Sequence, residues 1–307
     1  MLPKPLRLLP ILATLLALPL WASVAHAADV KGALVYVPQD AVGVMTVDVD
    51  GVRATPLFKK LVTQLIDANP KARKNLDELK QKTGFDPLEH VHGVVLAAGP
   101  AFPADDEDFV IIAEAKLDEA RLVAFMQKEG AKFTVKNDAL GKHYLFDGGK
   151  GALAFRGKHV VIGGTAIFQR ALAKKGPSAS LSAALTPHLG KHLAFALEPN
   201  AALRDELKKE MPDFEQLKRL SGGATLKNGF TLDTVATFAT AAPPTKLAKE
   251  ANEGLTQVKQ DKQVKQLGLD KLVDRIKISA LRTDLRINLS LTQADLDKLA
   301  KLAEQFM

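Results

Sequence analysis

The sequence predicts an α+β fold: antiparallel sheets with helices packed on one face, built as a tandem duplication of a strand–helix–hairpin–helix–hairpin–helix unit. Three observations predict it. Short β-branched runs alternate with stretches of helical periodicity. Several runs are joined by two-residue turns, which connect only antiparallel neighbours, whereas parallel strands need long crossovers. The order of segments in residues 28–176 then recurs in residues 191–307, across a Ser- and Pro-containing linker at 177–190.

Residues 42–50 are rich in Val and short enough for a strand, ending at Asp48 and Asp50. These two acids read as a strand end entering a turn, because no partner base is evident beside them. Thr55 is suited to cap a helix that starts at Pro56 and shows Leu57, Leu61, Val62, Leu65 and Ile66 on one stripe. Asn69-Pro70 breaks it, and a polar helix follows over 71–82. Residues 92–98 and 109–115 read as two strands around an acidic loop, Asp105 to Asp108. Asp118 caps a helix bearing Leu122, Phe125 and Met126, which Gly130 ends. Hairpins follow at 132–146 and 152–162, the second turned by Gly157-Lys158, and a helix over 166–175 closes the half.

The second half opens with a strand at 192–197. A helix is expected over 201–220, split or kinked at Pro212. Asn228-Gly229 turns a hairpin whose arms are 224–227 and 230–240. A helix follows Pro243-Pro244, then a polar helical stretch over 260–274. A last hairpin spans 276–291. The C-terminal helix starts at Thr292, with Asp295 in the capping-box position and Leu296, Leu299, Leu302 and Phe306 on its apolar side.

The 307 residues carry 42 Lys and Arg against 35 Asp and Glu, a net charge of +7; 47% are hydrophobic and 25% charged. That balance suits a folded chain rather than a disordered one. The absence of cysteine excludes a disulfide scaffold, a thiolate metal site, a cysteine nucleophile and a lipid anchor on cysteine. Lys4 and Arg7, the uncharged apolar run from Leu8 to Val24, and Ala25-His26-Ala27 make a secretory leader, with cleavage expected after Ala27. Cleavage removes Trp21, and no later run reaches membrane-spanning length. The remaining charges alternate in sign, and aromatics for base stacking are few. No nucleic-acid partner is therefore expected.

Chemistry-bearing residues are sparse. Glu89-His90-Val91-His92 is the best metal-like cluster. If it forms a strand, His90 and His92 share a face, with Glu89 as the adjacent acid. Zinc needs a third ligand and usually a fourth, and His143, His159, His188 and His192 show no suitable spacing. Neither metal nor cofactor is assigned, and no catalytic residue. The acidic run at 105–108 lacks calcium-loop spacing and reads as a solvated loop. Gly148-Gly149-Lys150-Gly151 and Gly222-Gly223 do not match a phosphate loop, and Gly163-Gly164-Thr165 is a strand-to-helix turn.

The opening of the mature chain, Tyr36 to Val49 with Pro38, Asp40 and Ala41, followed by Thr55-Pro56-Leu57-Phe58, resembles uncharacterised exported bacterial proteins. In these, a P-x-D-A strand precedes an S/T-P-x-F helix. The resemblance implies a Gram-negative exported protein without known catalysis, and it transfers no functional residue. The expected function is therefore non-enzymatic binding of a ligand or envelope partner, through a sheet face or an inter-lobe cleft. Val95, Ile111, Phe155 and Phe195 are candidate lining residues. The alternatives are a metal-dependent hydrolase using His90 and His92, and a structural or chaperone-like module.

Overall fold

In the computed structural model the chain divides into two compact units, one ending at Ala179 and the other beginning at Ser180. The structure describes residues 30–56, 58, 62, 69–210 and 212–306. The leader and its cleavage site, and Leu57, Leu61, Leu65 and Ile66 of the helix expected after Thr55, lie outside the described residues.

Unit 1 starts with a short helix α1 (Val30–Ala33), followed by β1 (Gly43–Asp48) and α2 (Val49–Arg53). The expected first strand thus ends two residues early. The Asp48 carboxylate accepts the Gly51 N–H at 3.0 Å and turns a β-branched run into a helical turn. Thr55 does cap: its Oγ1 accepts the Phe58 N–H at 3.3 Å, and Pro56, Phe58 and Val62 are helical. Then come α3 (Pro70–Thr83), α4 (Pro87–His90), β2 (Val91–Ala98), β3 (Phe109–Ala115) and α5 (Glu119–Lys128). Asp118 caps α5 through the Arg121 N–H. β4 (Phe133–Asp138), β5 (Gly141–Phe146), β6 (Gly151–Arg156), β7 (His159–Gly164) and α6 (Thr165–Leu172) complete the unit.

All pairings are antiparallel, in the order β1-β2-β3-β7-β6-β5-β4. The helices of unit 1 divide between the two sheet faces. Met126 of α5 packs with Tyr144 and Leu153, while Phe168 of α6 lies 5.8 Å, ring to ring, from His143. Adjacent strand residues point to opposite faces, so α5 and α6 do too. The central strands are accordingly apolar at consecutive positions, with Val94, Val95, Ile111 and Ile112 all buried.

Unit 2 takes in α7 (Ala179–Leu185), which begins at the boundary. Ser180 and Ser182, read from sequence as loose linker, lie on this helix, pinned by the fully buried Leu181 and Leu185. β8 (Leu193–Leu197), α8 (Ala201–Glu210), β9 (Leu217–Thr225), β10 (Gly229–Phe238) and α9 (Ala242–Gln260) follow. The helix expected over 201–220 is therefore too long. Pro212 stops it in a 3-10 turn, and Leu217 and Leu220 belong to a strand held between β8 and β10. The apolar spacing fits a helix, but strand pairing on both sides overrides it. Two short helices, α10 (Lys262–Gln266) and α11 (Asp270–Val273), lead to β11 (Ile276–Leu281), β12 (Asp284–Thr292) and α12 (Gln293–Phe306). The capping box forms reciprocally: Thr292 N–H to Asp295 Oδ2 at 2.8 Å, and Asp295 N–H to Thr292 Oγ1 at 3.2 Å.

The sheet order of unit 2 is β8-β9-β10-β12-β11, again antiparallel. Element by element it matches β1-β2-β3-β7-β6 of unit 1. The extra hairpin β4–β5 stands where unit 2 has α10 and α11. The core of unit 2 gathers Leu217, Ala236, Phe238, Ala248 and Leu285, with Leu247, Ile278 and Ile287 packed against it.

Candidate functional site

The ionisable residues of the first strand region do meet a base, contrary to the sequence reading. Capping by Asp48 places Asp50 and Arg53 one turn apart on α2, where the guanidinium donates to Asp50 Oδ1 at 2.8 Å. Arg53 is only 3% exposed. It also donates to the carbonyls of Glu89, at 3.1 Å, and Val91. It thereby satisfies acceptors freed where α4 gives way to β2. His92 Nδ1 lies 3.0 Å from Asp50 Oδ2. Burial raises the Asp50 carboxyl above its usual range, against the pull of His92 and Arg53, and burial also lowers the Arg53 guanidinium. The arrangement fixes an imidazole against a carboxylate and ties α2 to the start of β2.

Glu89, His90 and His92 do not converge. His90 ends α4 rather than opening a strand, so period-two alternation does not relate it to His92. The Asp86 N–H donates to His90 Nδ1 at 3.0 Å, and the His90 ring lies 6.0 Å from that of Phe85. Glu89 is half exposed, 3.6 Å from Lys80, which pairs more closely with Asp86 at 2.8 Å. Among the described residues no group of three or more His, Asp or Glu side chains is placed to hold a metal. The hydrolase alternative would need His90 and His92 in one site, and the structure turns them to different partners.

A second cluster, in unit 2, escaped sequence reasoning. The Lys191 ammonium pairs with both carboxylate oxygens of Asp233, and His188 Nδ1 lies 3.5 Å from the same carboxylate. Burial depresses the His188 pKa; Asp233 opposes this and Lys191 adds to it. The two glycines of β9 make room. A Cβ on Gly223 would stand 2.7 Å from Lys191 Cδ and 2.8 Å from the Leu193 carbonyl, and one on Gly222 would stand 2.7 Å from Phe195 Cζ. Paired glycines inside a strand signal such close approach, which was the available clue.

In the acidic loop Asp105, Asp106 and Glu107 are exposed, as a solvated loop requires, and Asp108 alone departs from that reading. Asp108 is buried, accepts the Ala101 N–H at 2.7 Å and pairs with Arg170 at 2.7 Å. Arg170 reaches Asp40 as well, at 3.2 Å. Of the lining candidates, Val95 and Ile111 are core, and Phe155 packs beside the Met126 cluster. Phe195 brings its ring tip close to Gly222.

A recess of about 520 Å³ opens in unit 2 between α9, α10, α11 and the start of β11. Leu255, Val273 and Ile276 supply its apolar surface, and Asn252, Thr256, Gln260 and Lys265 supply polar groups. Lys259 and Asp274 close one side as an ion pair of 2.6 Å. Asn252 Nδ2 donates to the Ile278 carbonyl at 3.0 Å, holding α9 beside β11.

The sequence matches no protein-family model and no curated protein. Among solved structures, crystal form III of TP0453 aligns with 12% identity and a TM-score of 0.49, over 90% of this chain and 98% of that one. Crystal form I of TP0453 aligns with 13% identity and a TM-score of 0.46, over 93% and 99%. Among the described residues no helix is long and apolar enough to cross a membrane.

Proposed function

We propose that this chain is an exported, non-catalytic binding protein whose ligand site is the recess of unit 2. The observation that carries the reading is the recess itself. Its volume falls in the range of roughly 300–1,000 Å³ usual for small-molecule sites. It combines an apolar surface from Leu255, Val273 and Ile276 with amide and hydroxyl groups able to orient a ligand. The two ionic clusters, one buried around Arg53 and one half-buried around Asp233, favour the same reading. Asp50 with Arg53 and Lys191 with Asp233 are engaged with one another, as side chains that brace a fold are. Export rests on the leader pattern of residues 1–27. The matching strand order of the two units supports a tandem duplication in which the second copy replaced a hairpin by the short helices that wall the recess.

Native mass spectrometry of the protein recovered from its exporting host tests the proposal. The wild type is expected to retain a bound small molecule, and Leu255→Arg, which fills the recess with charge, is expected to lose it while keeping the far-UV spectrum. An empty wild type, or a bound mass that survives Leu255→Arg, overturns the assignment.

A further inference from the structure

We propose that the free edge of β4 is a homotypic interaction surface, through which two copies of this chain join their sheets antiparallel with Val135 on the two-fold axis. Among the described strands, β4 ends the order of unit 1 and pairs with β5 alone. Thr134 through Asp138 are all exposed, and Val135 is 51% exposed. An uncovered edge is a template for another strand.

The pairing around β5 shows which backbone groups β4 offers. Arg156, from β6, donates to the Lys142 carbonyl at 2.9 Å. The N–H and C=O of a strand residue point to one side, and the side alternates along the chain. Lys142 thus faces β6, and His143 faces β4. Lys136, opposite His143, therefore bonds inward together with Thr134 and Asp138. Phe133, Val135 and Asn137 turn their N–H and C=O groups to the open edge.

Charge then selects the register. A second β4 must set positions 133, 135 and 137 against one another to complete the ladder. Centring on Lys136 puts Lys136 against its own copy. Centring on Thr134 puts Lys132 against Lys136 twice. Both oppose like charges directly, which destabilises a pair. Centring on Val135 puts Val135 against Val135, Phe133 against Asn137, Thr134 against Lys136, and Lys132 against Asp138 at both ends. This register pairs Phe133 through Asn137 and sets Asp138, whose Oδ1 also accepts the Leu140 N–H, opposite Lys132, the residue just before the strand, at both ends. Centring on Asn137 also matches Lys136 with Asp138, but overlaps only the last residues of the strand. The resulting contact is isologous, the same patch on both copies.

The absence of cysteine makes the test clean, because one introduced thiol has only its copy to meet. Hydrogen-bonded antiparallel partners stand about 5.5 Å apart at Cα, within disulfide reach. Under mild oxidation Val135→Cys is expected to cross-link at least about tenfold faster than Asn137→Cys. Sedimentation velocity is expected to show a concentration-dependent dimer. Val135→Pro should raise its dissociation constant at least about tenfold, while leaving the fold intact because the deleted N–H faces the open edge and has no strand partner among the described residues. Asp138→Lys should weaken the dimer, and adding Lys132→Asp should restore it. A wild type that stays monomeric to roughly 100 μM, Asn137→Cys cross-linking as fast as Val135→Cys, or a dimer unaffected by Val135→Pro would each overturn the proposal.

Discussion

The two units run their strands in the same order but cover them differently. In unit 1, β2 and β3 bury neighbours in sequence, Val94 with Val95 and Ile111 with Ile112. In unit 2, β10, which holds the place of β3, is only half-buried from Leu232 to Val235, and its neighbour β12 alternates: Leu285 is buried and Ile287 and Leu289 are half-buried, while Arg286, Asn288 and Ser290 are exposed. One topology thus serves a strand clad on both faces and a strand clad on one. The difference is written in the residues as a continuous apolar run against a period of two. Strand order alone therefore does not fix how deeply equivalent strands are buried.

The sharpest way to break this comparison is to make the same change in both units. Ile112→Ala, at a fully buried position, is expected to cost about 3–4 kcal/mol in urea unfolding, and Ile287→Ala on the half-covered strand about 1 kcal/mol. Equal losses would refute the difference in cladding. Next in size is Arg53→Ala, which strands a partly buried Asp50 and two carbonyls; a loss of about 2–4 kcal/mol is expected. Gly223→Ala forces a Cβ against the Leu193 carbonyl and the Lys191 stem, and should cost about 1–3 kcal/mol by thermal melting.

Acid should act on the two ionic clusters with opposite signs. The folded pKa of His188 lies below its unfolded value of 6.5. The unfolded chain therefore binds more protons just below pH 6.5, and the His188 contribution is lost as pH falls through that window. Asp50 has a folded pKa above 3.8. Just above pH 3.8 the folded chain binds more protons, so its contribution strengthens as pH falls. Comparing unfolding at several pH values for wild type, His188→Gln and Asp50→Asn reads both slopes. Slopes of the same sign would remove the contrast between the clusters. The smallest effect should come from Lys249→Ala, whose 4.0 Å pair with Glu253 is solvent-exposed; a change below about 0.5 kcal/mol is expected.

Local signals in the sequence were read well because their physics is local. The Thr292–Asp295 box, the Asp118 cap and the turns at Gly157 and Gly229 depend on residues a few positions apart. The α+β class followed from them. The ionic clusters did not, because they join Asp50 to His92 and Lys191 to Asp233 across 42 residues each, through register alone. Leu217 and Leu220 misled for the same reason: their spacing suits a helix, and only the flanking β8 and β10 decide otherwise.

The folded-down acid at Asp108 has a practical corollary. A stretch of four acids after a proline looks like an accessible tip for a protease. Yet Gly99 donates to the Asp108 carbonyl, Ala101 to its carboxylate, and Arg170 clamps that carboxylate from α6. Gly164 lies so close beneath Glu107 that a Cβ there would meet its carbonyl at 2.1 Å. An acid-directed endoprotease such as one cleaving after glutamate should therefore spare this segment in the native state and nick it only once α6 has come away.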